Sequence, residues 1–241
     1  MKVNSTEIKN NFGKYLRLSA KEDIVITKNG RDVAKLVSYE EGTNADVIME
    51  AEPAYSTSGT RISYEDFLKI SENSDERFEY IDGEIYLLVS PKVTHQKVLM
   101  ELSYLFYNFL DDKPCQSVFA PFDITLKRNA ENINIVQPDL MIICDLEEHL
   151  NDRDYYMGVP TLAVEIISES SRKKDYLKKL DLYMDCGVQE YWIVNPFNKE
   201  ITIFSFADKT IIANRTFGST DIAISYYFKD LQVEMKRIFR K

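Results

Sequence analysis

The sequence predicts a mixed α+β fold, a sheet with helices packed on it, preceded by a small β-α-β-β module. Three observations lead there. Short runs rich in Ile and Val, with turn residues nearby, recur along the chain, among them residues 134–143 and 162–168. Residues 95–110 and 172–186 instead repeat their apolar side chains at helical spacing. Charge is divided unevenly: residues 1–39 hold eight Lys or Arg against four Asp or Glu, a balance of +4, so the remainder of a chain of net charge −9 carries −13. A basic head on an acidic body points to two modules with different partners.

The 241 residues allow one large domain or a small one joined to a medium one, and 44% apolar residues suffice for a packed core. No apolar run is long enough to span a bilayer, and Met1-Lys2-Val3-Asn4-Ser5-Thr6-Glu7 lacks the apolar stretch of a signal peptide. The expectation is a cytoplasmic protein with no membrane association. Cys115, Cys144 and Cys186 lack metal-ligand spacing and are expected to be reduced, mostly buried thiols. The chain has no C-x-x-C, G-x-x-x-x-G-K, G-x-G-x-x-G or G-x-S-x-G, which removes zinc, P-loop, dinucleotide and serine-hydrolase readings.

In the head, the strand-like Lys2-Val3-Asn4 is followed by Ser5 or Thr6 as a helix N-cap. Ile8, Phe12, Tyr15 and Leu16 then fall at i, i+4, i+7 and i+8, one face of an amphipathic helix. Residues 24–28 and 31–38 flank Asn29-Gly30, a hairpin signal because both turn positions need positive φ. About forty residues bury little apolar surface alone, so a homodimer sharing one core and presenting basic residues of both copies to DNA is expected. Over residues 1–39 the chain resembles the Phd/YefM antitoxin family, in Ser5-Thr6-Glu7-Ile8, Asn11-Phe12-Gly13-Lys14-Tyr15-Leu16, Ile24-Val25-Ile26-Thr27-Lys28-Asn29-Gly30 and Val33-Ala34-Lys35-Leu36-Val37. The resemblance implies a dimerising module that binds operator DNA, with Lys9, Lys14, Lys28 and Arg31 as candidates for phosphate or base contact. For each of them a merely solvated face is the alternative. A toxin-antitoxin partner is also implied, although a linker stands where the family continues into its toxin-neutralising tail.

The head is assigned residues 1–45, the linker 46–60 and the body 61–241. The linker is acidic, then small and polar, with Pro53 and Gly59 and poor periodicity. In the body, Ser63 caps a helix and Asp66 closes a capping-box-like pair. Residues 77–81 and 84–89 flank Asp82-Gly83, a second hairpin signal. A helix over 95–110 carries Val98, Leu99, Leu102, Leu105, Phe106 and Phe109 inward. Strands are predicted near 116–126, 133–144 and 161–167, then a helix over 172–186 stopped by Gly187. A strand over 190–194 and further β pieces at 200–206, 209–216, 222–228 and 232–239 complete one mixed sheet.

The chemistry lies in two acids. Asp139 and Glu165 stand in apolar strand-like runs, where a carboxylate is costly to bury without compensation. Two such acids 26 positions apart suggest one shared compensator, a divalent cation being the simplest. Residues 172–180 supply lysines downstream, and acids, metal and lysine together suit phosphodiester cleavage. The alternative is a structural pair satisfied by lysine or backbone N–H groups.

From about residue 61 to 206 the chain resembles the Uma-two family of restriction-endonuclease-like proteins, a branch of the PD-(D/E)XK nuclease superfamily. The resemblance rests on Phe78-Glu79-Tyr80-Ile81-Asp82-Gly83-Glu84-Ile85, His95-Gln96, Pro138-Asp139-Leu140, Val164-Glu165-Ile166-Ile167-Ser168, Asp175, Lys179, Tyr183 and Gly187-Val188-Gln189-Glu190-Tyr191-Trp192. It implies a restriction-endonuclease-like core and a Mg2+- or Mn2+-dependent endodeoxyribonuclease. Asp139 and Glu165 would be metal ligands, Glu79 a second-metal or water-contacting acid, and Lys179 the ammonium that orients water or offsets charge on the phosphate. His95 would touch phosphate or metal-bound water, or simply cap its helix. In the usual superfamily pattern the lysine lies two positions after the second acid; here Ile167 stands there, and the resemblance moves the lysine to the next helix. Asp175, Lys179 and Tyr183, at i, i+4 and i+8, would then share one helix face. A non-catalytic DNA-binding regulator and a toxin-antitoxin fusion remain as other readings.

Overall fold

A computed structural model of the chain describes residues 1–10, 15, 18, 19, 23–28, 31–36, 61–168, 171 and 174–240. The chain divides into two units, Met1–Ala51 and Glu52–Lys241.

In the first unit, β1 (Lys2–Asn4) leads directly into α1 (Ser5–Asn10), followed by β2 (Ile24–Lys28) and β3 (Arg31–Leu36). β1 runs parallel to β2, and β2 pairs antiparallel with β3, in the order β1-β2-β3. This is the β-α-β-β module that the sequence predicts. The helix is capped one residue earlier than expected: Oδ1 of Asn4, not Ser5 or Thr6, accepts the N–H of Thr6 at 2.9 Å. Val3, Ile8, Tyr15 and Ile24 form its buried centre. Phe12, Leu16, the Asn29-Gly30 turn, Lys14 and the linker at 46–60 lie outside the described residues, as does the side chain of Lys9.

The second unit opens with α2 (Tyr64–Glu72), whose N-cap Ser63 accepts the N–H of Asp66 at 3.1 Å. Phe67 of α2 stacks on Tyr80, with ring centroids 4.9 Å apart. Tyr80 lies on β4 (Phe78–Ile81), which turns through Asp82 and Gly83, at φ 51° and 87°, into β5 (Glu84–Leu87). Both turn residues sit in the left-handed region that this hairpin requires. The long helix α3 (Val93–Leu110) follows, then β6 (Gln116–Phe119), β7 (Ile124–Lys127), β8 (Ile133–Val136) and β9 (Leu140–Ile143). After β10 (Leu162–Ile166) the chain makes a π-helical stretch, Lys174–Lys179, that continues into α4 (Leu180–Cys186). Gly187 at φ 95° ends α4 with a left-handed cap, as predicted. The remaining elements are β11 (Glu190–Asn195), β12 (Glu200–Ala207), β13 (Thr210–Phe217), β14 (Ile222–Ile224), β15 (Gln232–Glu234) and α5 (Met235–Ile238).

The mixed sheet expected is present, and the strands of this unit fall into more than one sheet. They make a six-stranded sheet ordered β13-β12-β11-β10-β9-β6, a four-stranded sheet ordered β5-β4-β8-β7, and the small pair β14-β15. In the larger sheet only β10 and β11 are parallel. The final segment is also corrected: residues 235–238 are helical, because Met235 and Ile238 bury one face against the core. Alternation along the strands divides the core. Leu140, Ile142, Leu162, Val164 and Trp192 pack with α3, while Met141, Ala163, Tyr191 and Ile193 pack with α4 and with Ile81, Ile124, Leu126 and Val136 of the smaller sheet.

The cysteine expectation is overturned in part. Gln116 pairs with Ile143 across β6 and β9, so Cys115 and Cys144 face each other one step beyond and are joined as a disulfide; Cys186 is free. Sequence spacing carries no trace of that register. Among the described residues no helix is long and apolar enough to cross a membrane.

Candidate active site

Two strands bring the key acids together. Leu140 of β9 pairs with Val164 of β10, so one step further Asp139 faces Glu165 on the same side of the sheet. That side is the one shared by Met141 and Ala163, toward α4 and the smaller sheet. Oδ2 of Asp139 accepts the backbone N–H of Ile166 at 2.7 Å and lies 3.2 Å from Nε2 of His95, in the first turn of α3. His95 therefore meets the carboxylate itself. Its Nδ1 is buried without a hydrogen-bond partner among the described residues.

On the facing helix, Lys179 places its ammonium 2.7 Å from Oε1 of Glu165 and 2.7 Å from Oε1 of Glu79, with Oδ1 of Asp175 at 3.8 Å. The hydroxyl of Tyr183 donates to the same Glu165 Oε1 at 2.7 Å. Glu79, on β4, is fully buried rather than exposed on its strand. Its Oε1 accepts the N–H of Gln137 at 3.0 Å and its Oε2 receives Lys174 at 2.5 Å. Glu79 is thus held by two lysines and an amide, so it stands here as their anchor rather than as an open metal ligand.

The π-helical stretch explains how two lysines reach one carboxylate. Lys174 and Lys179 are five residues apart, and in an α-helix such residues point about 140° away from each other. A π turn, hydrogen-bonded i to i+5, brings them round to one side. The regular helix predicted over 172–186 would have separated them. The sequence does not single out Lys174, because helical periodicity assigns it to another face; the run of basic residues is the one signal of it.

Electrostatics divides the acids into two kinds. Burial works against Glu79, but Lys179 and Lys174 outweigh it and pull its carboxyl down to about 2. Burial pushes Glu165 well above the ordinary carboxylate range; Lys179 opposes it, but the neighbouring Asp175, Asp139 and Glu79 push the same way as burial. Burial likewise raises Asp175, while the three surrounding carboxylates keep Lys179 firmly charged despite its burial. Of the two acids that share Lys179, Glu79 is held ionised because it alone has the second ammonium.

The donor set suits a hard divalent cation. Four carboxylates (Glu79, Asp139, Glu165 and Asp175) gather against two ammoniums (Lys174 and Lys179), an imbalance of two negative charges when all are ionised. Oδ1 of Asp139 and Oε2 of Glu165 take part in no hydrogen bond among the described residues, whose partners fall on Oδ2 and Oε1. No group of three or more His, Cys, Asp or Glu converges on a metal position among the described residues. Two carboxylates with waters and phosphate completing the shell are a common arrangement for Mg2+. The structural alternative also finds its contacts, since a backbone N–H meets Asp139 and a lysine meets Glu165; each acid nonetheless keeps one oxygen uncommitted among the described residues.

In the head, Lys28 and Arg31 are exposed and pair across β2 and β3.

Residues 64–235 match the Uma2 family, described as "Putative restriction endonuclease". Residues 1–43 match the antitoxin Phd_YefM family of type II toxin-antitoxin systems. The uncharacterized protein slr1290 of Synechocystis sp. is 29% identical over 145 residues, covering 60% of this chain and 74% of the relative. A second protein of that organism, sll1609, is 23% identical over 133 residues, covering 55% and 73%. The crystal structure of a putative nuclease belonging to DUF820 from Anabaena variabilis superposes with a TM-score of 0.60 at 16% identity, over 74% of this chain and 97% of that one. At that identity the likeness establishes the fold, that of a restriction-endonuclease-like core.

Proposed function

The chain belongs to the Uma2 family, and from that premise we propose that its body is a metal-dependent endonuclease hydrolysing DNA phosphodiester bonds, coupled to a DNA-binding head. The observation that carries this reading is the facing of Asp139 and Glu165 on one side of adjacent strands, each with an oxygen uncommitted among the described residues. Asp139 Oδ1 and Glu165 Oε2 would hold Mg2+ or Mn2+. Held there, such an ion would supply an activated water and offset charge on the phosphate. The Ile166 N–H and His95 fix the Asp139 carboxylate in one orientation, which limits the freedom a ligand loses on binding. Lys179 and Tyr183 do the same for Glu165 by occupying Oε1.

The head supports the DNA side of the proposal. Its likeness to Phd_YefM antitoxins, the exposed pair Lys28 and Arg31, and the exposed edge strand β3 suit a dimeric DNA-binding module. Supercoiled plasmid incubated with Mg2+ or Mn2+ tests the enzyme. Nicking or linearisation by the wild type, lost in Asp139→Asn, is expected; equal behaviour of the two proteins would remove the catalytic assignment. A second reading, a DNA-binding regulator with an inactive body, draws support from the ion pairs that satisfy Glu79 without any metal. Metal-independent gel shifts that need the head, with no cleavage of any DNA, would establish that reading instead. If the head restrains the body, as in a toxin-antitoxin fusion, removal of residues 1–45 raises cleavage.

A further inference from the structure

Among the described residues, the donors of the three lysines around the site are unequally committed. An ammonium carries three N–H groups. Lys179 faces three carboxylates, at 2.7, 2.7 and 3.8 Å, and its side chain is 3% exposed. Two short contacts hold its ammonium, and burial keeps it out of reach of an incoming anion. Lys178 is engaged by Oε2 of Glu84 and the hydroxyl of Tyr86, each at 2.6 Å. Lys174 makes one short contact, to Oε2 of Glu79, and lies 5.1 Å from the centre of the Tyr86 ring; its side chain is 13% exposed. Of the two lysines that hold Glu79, it is the one with access from outside, whereas the more exposed Lys178 is turned to Glu84 and Tyr86.

We propose that Lys174, rather than Lys179, is the ammonium that binds a phosphate of the nucleic-acid backbone, and that Lys179 is a fixed clamp between Glu79 and Glu165. The inference rests on the nuclease reading above and names a substrate-binding residue for it. Glu79 stands in for the phosphate before substrate arrives. Its carboxylate holds Lys174 at the site and can release it, because Lys179 and the Gln137 N–H remain on Oε1. The π turn gives the exchange its geometry, since only there do Lys174 and Lys179 lie on one side, one able to leave while the other stays.

The test uses the full chain, plasmid or duplex DNA and Mg2+, with single-turnover cleavage measured over a series of salt concentrations. Lys174→Met should keep the wild-type thermal midpoint within about 3 °C, since Glu79 retains its other partners. Its cleavage rate should fall about 100-fold. The slope of log(kcat/KM) against log[salt] should become shallower by about one, the signature of one lost phosphate contact. Lys174→Arg should restore the slope and part of the rate, and Lys229→Met, at an exposed position of the same charge, should change neither. A role confined to structure would lower the midpoint and leave the salt slope alone. Wild-type cleavage with an unaltered rate or slope in Lys174→Met overturns this inference alone, whereas no cleavage by the wild type overturns it together with the nuclease reading.

Discussion

Lys179 and Glu165 meet at 2.7 Å with both side chains buried, and the same ammonium also holds Glu79 at 2.7 Å. Removing one partner of such an ion pair leaves the others as uncompensated buried charge, at a cost of about 3–5 kcal/mol. Lys179→Met is therefore expected to lower the thermal midpoint by about 10 °C, read by circular dichroism or calorimetry. A midpoint within about 2 °C of wild type would show that the cluster readjusts without it.

His95 supports Asp139 from α3 rather than from the helix that carries Lys179, at 3.2 Å from Oδ2. It touches a ligand rather than the proposed ion. His95→Ala should therefore reduce cleavage by about 10- to 100-fold, with part of the loss recovered at high Mg2+. Loss that no metal concentration recovers would place His95 against the substrate instead.

Two acids of the cluster give opposite pH dependences. The Glu79 carboxyl falls from 4.5 to about 2 on folding, so its stabilisation is complete above pH 4.5 and disappears as pH drops toward 2. Glu79→Gln should flatten the acid limb of the stability curve over that interval. Glu165 moves the other way: its raised carboxyl means the folded protein holds a proton that the unfolded chain has released, so stability falls as pH rises above 4.5.

Metal binding should then displace protons, because a ligating carboxylate must be ionised. Calorimetric Mg2+ titrations over a range of pH above 4.5, run in two buffers of different ionisation enthalpy, should reveal proton release, and affinity should climb with pH. Glu165→Gln should abolish both. Affinity independent of pH would place the ion away from Glu165.

In the head, Lys28 and Arg31 face solvent from paired positions of the hairpin. Replacing both by Ala in the full chain carrying Asp139→Asn should weaken DNA binding and lower its salt slope by about two per copy. An unchanged gel shift would move the DNA-contacting face elsewhere on the module.

Much of this arrangement is written locally in the chain. Asp82-Gly83 and Gly187 announce a turn and a helix stop because each needs a left-handed backbone. Ser63 announces a helix start, and the nearly uninterrupted apolar runs of residues 140–143 and 162–166 mark strands that bury both faces. The pairing of Asp139 with Glu165 was accessible in outline, since two charges in apolar strands demand a common partner.

What the sequence by itself determined is thus the set of elements and the identity of the acids and lysines that meet. Only the tertiary structure decided how they are shared. The register of β6 on β9 joined Cys115 to Cys144, the π turn put Lys174 beside Lys179, and the packing of β4 against that helix buried Glu79 between the two. The physical reason is one of range: turns, caps and periodicity act over a few residues, whereas the ionisation of a carboxylate depends on charges brought close from 90 or more positions away, as Glu79 and Lys174 are.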